Sequence, residues 1–411
     1  ILREGTIVIE QASAGLPGAS SIALSGVVKP VEGKPEFDGT LLATSGNLRG
    51  ITDWLKFAPG VLSADRLRNF SYKSLVKATP DALEITDINV ELDASKITGG
   101  LVVALRERLA LGLRLDVDKL NLDQYFVRSA GGVVPTSSAP IISQVNVTDR
   151  AAVNTANIPS SIALLDSFDA NLDLRVGRLS VGGLVAEKVR ADTTLIGGSL
   201  TIREASVGKI AGIAGKVSGS VELISTNPTA ALTFVVSSGD VEAFSRLIGS
   251  GLRVPKGIKR TVSVNGQLNG GLTNMVVKAN ADVLGGMVEV EGSIENFVVD
   301  PTFDLGLAIN HPDLGQVLKI SAPDYQPAAS NLGPLAISLR VAGTQSSATF
   351  TALKGNVGPI AIQGDGIFKR GKTRPDIIAN IATSELFLNL ILPVGTTPRV
   401  QGSMQRSSVE E

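Results

Sequence analysis

Residues 366–373, GIFKRGKT, fit the pattern G-x-x-x-x-G-K-T with which a loop cradles nucleotide phosphates. Such a loop needs a strand before it and a helix after it, so that backbone N–H groups and the helix N-terminus point at the phosphates. Here Pro375 and the strand-like DIIANIA follow, and the stretch reads as a basic hairpin turn. His311 is the only histidine and there is no cysteine, which leaves no histidine-based triad, no Cys/His metal cluster and no thiol chemistry to assemble. Its place before PDLGQVL gives His311 a capping or surface role. The acidic pairs Asp116 with Asp118 and Glu289 with Glu291 could bind calcium or act as acid and base. As i,i+2 neighbours without a glycine-bearing calcium loop, they read as solvated strand faces. Trp54 and Tyr125 read as plugs at the end of an apolar sheet, with a seat at a membrane interface as the alternative. No catalytic residue, metal site or cofactor is expected, and the chain is read as non-enzymatic.

The elements that carry these residues repeat. A strand followed by a short helical turn recurs at 34–57, 108–126, 227–249, 300–320 and 374–393. Four of these open with proline, at Pro35, Pro228, Pro301 and Pro375, and the second has Leu109 there. Each follows a shorter strand built around a glycine: Gly26, Gly100, Gly219, Gly292 and Gly364. The steps are 74, 119, 73 and 72 residues, which gives a repeat of roughly 73 with an insertion of about 46 in the middle. So even a period predicts an elongated array in which each unit packs on its neighbours.

Within the units the strands alternate with period two. Phe303, Leu305, Leu307 and Ile309 share one face, opposite Asp304, Gly306 and Ala308. Leu113, Leu115 and Val117 match Leu232, Phe234 and Val236, which match Leu305, Leu307 and Ile309. Arg114, Asp116 and Asp118 face the other way, as in an antiparallel sheet with one wet side. In GDVEAFSRLIG, Asp240 is placed to cap a helix, Val241, Phe244 and Leu247 or Ile248 to form its apolar stripe, and Gly249 to end it. Such a turn would cover apolar surface at the edge or mouth of the sheet.

The 411 residues are 43% hydrophobic, 19% charged and only 4% aromatic, with a net charge of -1. That balance suits many short aliphatic strands and gives no electrostatic bias toward nucleic acid. No run of 18 or more uncharged apolar residues is present to cross a bilayer as a helix. The chain begins at Ile1 with neither methionine nor a signal-like region, so it reads as an internal piece whose anchor or targeting sequence lies outside it. Residues 128–160, rich in Ser, Ala, Thr, Pro and Asn, read as a flexible loop or crossover. They divide a first set of repeats (1–127) from a second (161–411).

Three stretches together resemble the AsmA family of Gram-negative envelope proteins: LRLDVDKLNLDQYF (113–126), NLDLRVGRLSVGGLVAEKVRADTTLIGGSLTI (171–202) and the lead-in TDINVELDASKITGGLVV (86–103). Val176, Leu179, Gly183 and Leu184 fit the recurrent L-x-V-x-x-L-x-Y-x-G-L signature, with Val181 in place of the aromatic and Leu172 two residues ahead of the first leucine position. The resemblance implies the periplasmic region of a protein anchored in the inner membrane, with a role in outer-membrane biogenesis and a fold similar to bridge-like lipid-transfer proteins. The expected architecture is mainly β: an elongated, curved antiparallel β-sheet groove of repeats of about 73 residues, with short α-helices at the unit ends. Its expected partners are phospholipid acyl chains, along with a membrane reached through an anchor outside this segment and assembly partners at the outer membrane. The residues expected to line the groove are Phe37, Leu41, Leu113, Leu115, Val117, Leu232, Phe234, Val236, Leu305, Leu307, Ile309, Ile377 and Ile381. Two readings compete with it: a sandwich or solenoid core, in which a second sheet closes the apolar stripe, and a scaffold that docks outer-membrane proteins through its edge strands.

Overall fold

A computed structural model describes residues 2–3, 5–55, 66–125, 164–224, 226–242, 245, 261–297, 300–321, 325, 327, 329, 331–370 and 376–385. Its 21 strands belong to one sheet, which is curved and unclosed. From Leu2–Arg3 to Asp376–Thr383 each strand pairs with the next in sequence, so the chain runs as a meander. The expected mainly β repeat array is therefore what forms, and among the described residues there is no second sheet to close it into a sandwich.

One join departs from the antiparallel expectation. Leu109–Asn121 lies parallel to Phe168–Val181, with Leu113 opposite Leu172 and Val117 opposite Val176. A parallel neighbour must start at the far end of its partner, so the chain has to travel back the length of a 13-residue strand, ~40 Å. A tight turn cannot do that, whereas the long connection between Asn121 and Phe168 can. The expected loop 128–160 lies outside the described residues. The strands flanking it are hydrogen-bonded neighbours, so the two sets of repeats form one continuous sheet.

The repeat is four strands long where it is led by Lys34–Ser45, Thr229–Ser238 or Thr302–His311. The unit led by Leu109–Asn121 has five. Because the additional strand enters by parallel pairing, Thr229–Ser238 still runs in the same direction as the other lead strands. The helical segment after each lead strand consequently falls at the same rim. These segments are the α-helix Arg49–Trp54, the 3-10 turn Leu122–Gln124, the helical residues at Val241 and Glu242, and the α-helix Leu314–Ser321. The 3-10 turn Leu164–Asp166, which leads into the additional strand, is at the opposite rim.

The tightest packing lies at this helical rim. Val241 is 2% exposed, Val262 1% and Leu284 9%, with Val264, Val283 and Ile320 against them. The Asp240 carboxylate accepts the N–H of Glu242 at 3.0 Å and caps the helix as expected. Phe244 and residues 247–249 lie outside the described residues. Asp87 and Ala352, both left-handed with φ of 50° and 52°, sit at matching places in two repeats where the strand register shifts. Bulges of this kind bend a strand and increase its twist, which supplies curvature.

Candidate functional site

Directly opposed residues on neighbouring strands point to the same face of a sheet. One row of such partners runs through twenty strands, from Ile9, opposite Gly26, to Ala379, opposite Gly366. It includes Leu113 opposite Leu172, Gly219 opposite Leu232, Gly292 opposite Leu305 and Phe350 opposite Gly366. No member is charged, and Thr193, between Leu172 and Ile202, is its only polar side chain. At about 4.8 Å per strand the row is ~90 Å long, measured along the curve.

All thirteen residues expected to line the groove lie on this face of the lead strands. Val117 is 8% exposed, Ile377 63% and Ile381 47%. The other ten are half-buried, and among the described residues no second sheet covers them. The groove-lining residues expected from sequence leave out Leu172 and Leu174 of the additional strand, along with Leu268, Val277, Val341 and Phe350. Alternation in LDLRV could have flagged the first two. In SVNGQLNGG the interleaved Gly and Asn residues weaken the same signal.

Glycine shapes the face. A Cβ on Gly219, Gly292 or Gly364 would collide with the carbonyl oxygen of Ala231, Asp304 or Asn380, in each case the residue before its partner on the lead strand. Gly99, opposite Leu115, has the same relation to Arg114. Gly99 is thus the repeat glycine and Gly100, which faces Arg114, is not. The Phe37, Phe234 and Phe350 rings lie across Gly39, Gly266 and Gly366, where a Cβ would strike them. Laid flat, they add apolar area without standing up from the surface.

The opposite face carries the ion pairs, together with exposed aliphatic side chains such as Leu42, Val102, Val235 and Ile378. Arg340 donates two hydrogen bonds to the Asp304 carboxylate, at 2.6 and 2.7 Å, and holds its pKa below the usual carboxylate range. Asp192 is held down in the same way by the Arg203 guanidinium, and Glu204 first by the Ser206 hydroxyl and then by Lys216 and Arg190. Hollows of about 440, 920 and 510 Å³ lie among such side chains, at Glu291 and Arg340, at Asp116 and Arg190, and at Arg114 and Asp173. A smaller apolar cavity of about 220 Å³ lies at the helical rim, below Val317 and Ile320.

The remaining chemical candidates resolve into structural roles or move. Gly366–Lys369 belongs to the strand Ile360–Lys369, with Lys369 opposite Asp376 of the next strand, so the phosphate-loop pattern is strand through Lys369 and the next described element after it is a strand, not a helix. The Asp118 carboxylate accepts the N–H groups of Lys96 and Lys119 at 2.7 and 2.6 Å, while Glu291 pairs with Lys278 at 3.4 Å. No acidic group among the described residues is gathered with others as a metal site.

His311 is 7% exposed, so its surface role is ruled out. Its Nδ1 accepts the Asp313 N–H at 3.0 Å, which makes Nε2 the protonated nitrogen, donating to Leu284 O at 3.3 Å. It therefore ties the start of the helix Leu314–Ser321 to the neighbouring hairpin. Trp54 does not plug the sheet: it is 59% exposed at the end of a helix of only six residues. Tyr125 is half-buried and donates its hydroxyl to Asp93 at 3.2 Å; burial, and then the Asp93 charge, push its pKa up.

No helix among the described residues is long and apolar enough to cross a membrane. In comparison with known proteins, the chain matches no family model, no curated protein and no solved structure.

Proposed function

We propose that this chain is a non-catalytic lipid-binding segment that holds phospholipid acyl chains along its apolar face, in the manner of AsmA-like envelope proteins. The observation that carries this reading is the uncharged row from Ile9 to Ala379, left half-exposed on a one-layer sheet. Exposing hydrocarbon to water costs about 0.8 kcal/mol per CH2, so a uniform apolar strip relieves a penalty of many kcal/mol for each chain laid on it. Uniformity also makes neighbouring positions nearly equal in energy, and a lipid can shift along such a strip without chemistry. On this reading the protein sits in the periplasm, is anchored through a segment outside this chain, and serves outer-membrane biogenesis.

Native mass spectrometry with lipid extraction tests it on protein expressed in a bacterial periplasm. Phospholipid bound at a reproducible stoichiometry and lost in Leu115→Asp is the expected result. A folded, lipid-free wild type would sink the reading.

One observation favours a second reading, a scaffold for outer-membrane protein assembly. The strand Asp376–Thr383 pairs on one side only among the described residues, and Ile377 and Ile378 are 63% and 71% exposed. An edge of that kind can accept a strand from another polypeptide. That reading predicts capture of unfolded outer-membrane strands with no lipid bound.

A further inference from the structure

The apolar cavity at the helical rim lies between the sheet and the helix Leu314–Ser321. Val288 and Ile309 form its floor, Val317 and Ile320 come from the helix, and Leu284 and Leu335 close its sides. Val288 and Ile309 are direct partners on the apolar face, so the cavity continues that face beneath the helix. His311, the one ionisable residue on its wall among the described residues, has both ring nitrogens engaged, by Asp313 N–H and Leu284 O. No polar atom of the histidine is left to hold water there, and the lining is almost wholly apolar although the pocket is partly open to solvent. Next to it, Val241, Val262 and Leu284 form a closely packed cluster. A partly open apolar pocket of about 220 Å³ beside a closely packed cluster leaves hydrocarbon surface for an apolar ligand to cover.

We propose that this cavity is a hydrocarbon subsite that takes the methyl-terminal end of an acyl chain, with Leu314–Ser321 as its cover. The proposal rests on the lipid-binding reading above and adds a fixed point to it: the strip lets chains shift, and the cavity holds one end. An apolar cavity of about 150 Å³ accommodates benzene, so by volume this one takes roughly eight carbons. Chains that fill it are retained, and chains with a bulky or polar terminus are not.

The test uses delipidated whole chain and two probes, benzene for the cavity alone and a phosphatidylglycerol with sixteen-carbon chains for the face. Benzene is expected to raise the melting temperature of the wild type saturably, and Val317→Phe, which fills the cavity, to abolish that response. The same variant is expected to bind the phospholipid several-fold more weakly while still binding it. Should Val317→Phe not fold, Val317→Ala enlarges the space instead, and the larger probe indole should then stabilise the variant more than the wild type. Phospholipid binding that is indifferent to Val317→Phe, together with no saturable benzene response, would overturn the subsite and leave the lipid reading standing. Saturable benzene without any phospholipid bound would keep the cavity as a hydrocarbon site but overturn its assignment to an acyl chain, and the lipid reading with it.

Discussion

Leu113 and Leu172 face each other across the only parallel pairing among the described strands. This contact keeps the apolar row unbroken where the repeat gains a strand. It also preserves direction: with five antiparallel strands in the unit, every later lead strand would be reversed, and the helix Leu314–Ser321 would lie at the other rim. A parallel join lets the array add one strand and keep one helical rim. The same relation makes the long connection between Asn121 and Phe168 a geometric necessity.

The connection is needed for its length more than for its sequence. Replacing residues 128–160 with an eight-residue Gly/Ser linker leaves about twenty residues between Asn121 and Phe168, enough for the ~40 Å return. Such a protein is expected to melt within about 3 °C of the wild type, since shortening a long loop changes its closure entropy only slightly. A connection of about four residues cannot make the return. Amide exchange at Leu113 and Leu172 should then become fast, and persistent protection there would refute the crossover argument.

Gly292 and Gly306 offer a controlled comparison on facing strands. A Cβ on Gly292 would collide with Asp304 O, whereas a Cβ on Gly306 has its nearest neighbour, Glu291 O, at 3.4 Å. Gly292→Ala is expected to cost about 1–3 kcal/mol as the two strands are forced apart. Gly306→Ala should stay within about 0.5 kcal/mol. Urea midpoints of the two variants decide the matter, and equal effects would mean that the close approach is not what selects glycine.

Much of this architecture could be read from local pattern. Alternation in TFDLGLAIN and its counterparts shows which residues share a face, because among the described residues no second sheet is packed on this one to override the period. The features that were not legible depend on distant partners. Nothing within RLDVDK reports that its neighbour will be NLDLRV in parallel register. In TGG the repeat glycine could be Gly99 or Gly100 until the register with Leu115 is known. His311 looks like a surface cap in sequence because the hairpin at Leu284, which buries it, is 27 residues away. Trp54 has the composition of a plug, yet its short helix holds it out in solvent.

Acid should weaken the sheet from its ionic face. Arg340 lowers the folded-state pKa of Asp304, Arg203 lowers that of Asp192, and the Gln316 side chain, with its backbone N–H, lowers that of Asp313 at the helix cap. For each group the unfolded chain binds protons more readily than the folded one. Their contribution is therefore complete above the ordinary carboxylate pKa and is lost as pH falls from there toward the lowered folded values. Urea midpoints measured from pH 7 to pH 3 should decline over the acidic part of that range. Asp304→Asn should make the decline shallower, and an unchanged slope would show that the pairing with Arg340 adds nothing.

Phe234 and Val235 are adjacent in one strand and point to opposite faces, which allows the two sides of the sheet to be tested with one chemical change. Phe234 lies on the apolar row side, half-buried across Gly266, and Val235 is 44% exposed on the ionic side. Phe234→Asp is expected to abolish phospholipid binding, because it places a charge in the uncharged strip and removes the ring that covers the glycine. Val235→Asp should leave binding within about twofold, since it adds one more acid to a face already laced with ion pairs. Both side chains are open to water, so neither change traps a charge in a closed core, and both proteins should keep a cooperative melt. Native mass spectrometry against phosphatidylglycerol, with melting curves alongside, separates the outcomes. Global unfolding of Phe234→Asp alone would mean that the face is covered in solution. Equal loss of lipid from both variants would mean that binding does not distinguish the two sides, which the apolar row cannot accommodate.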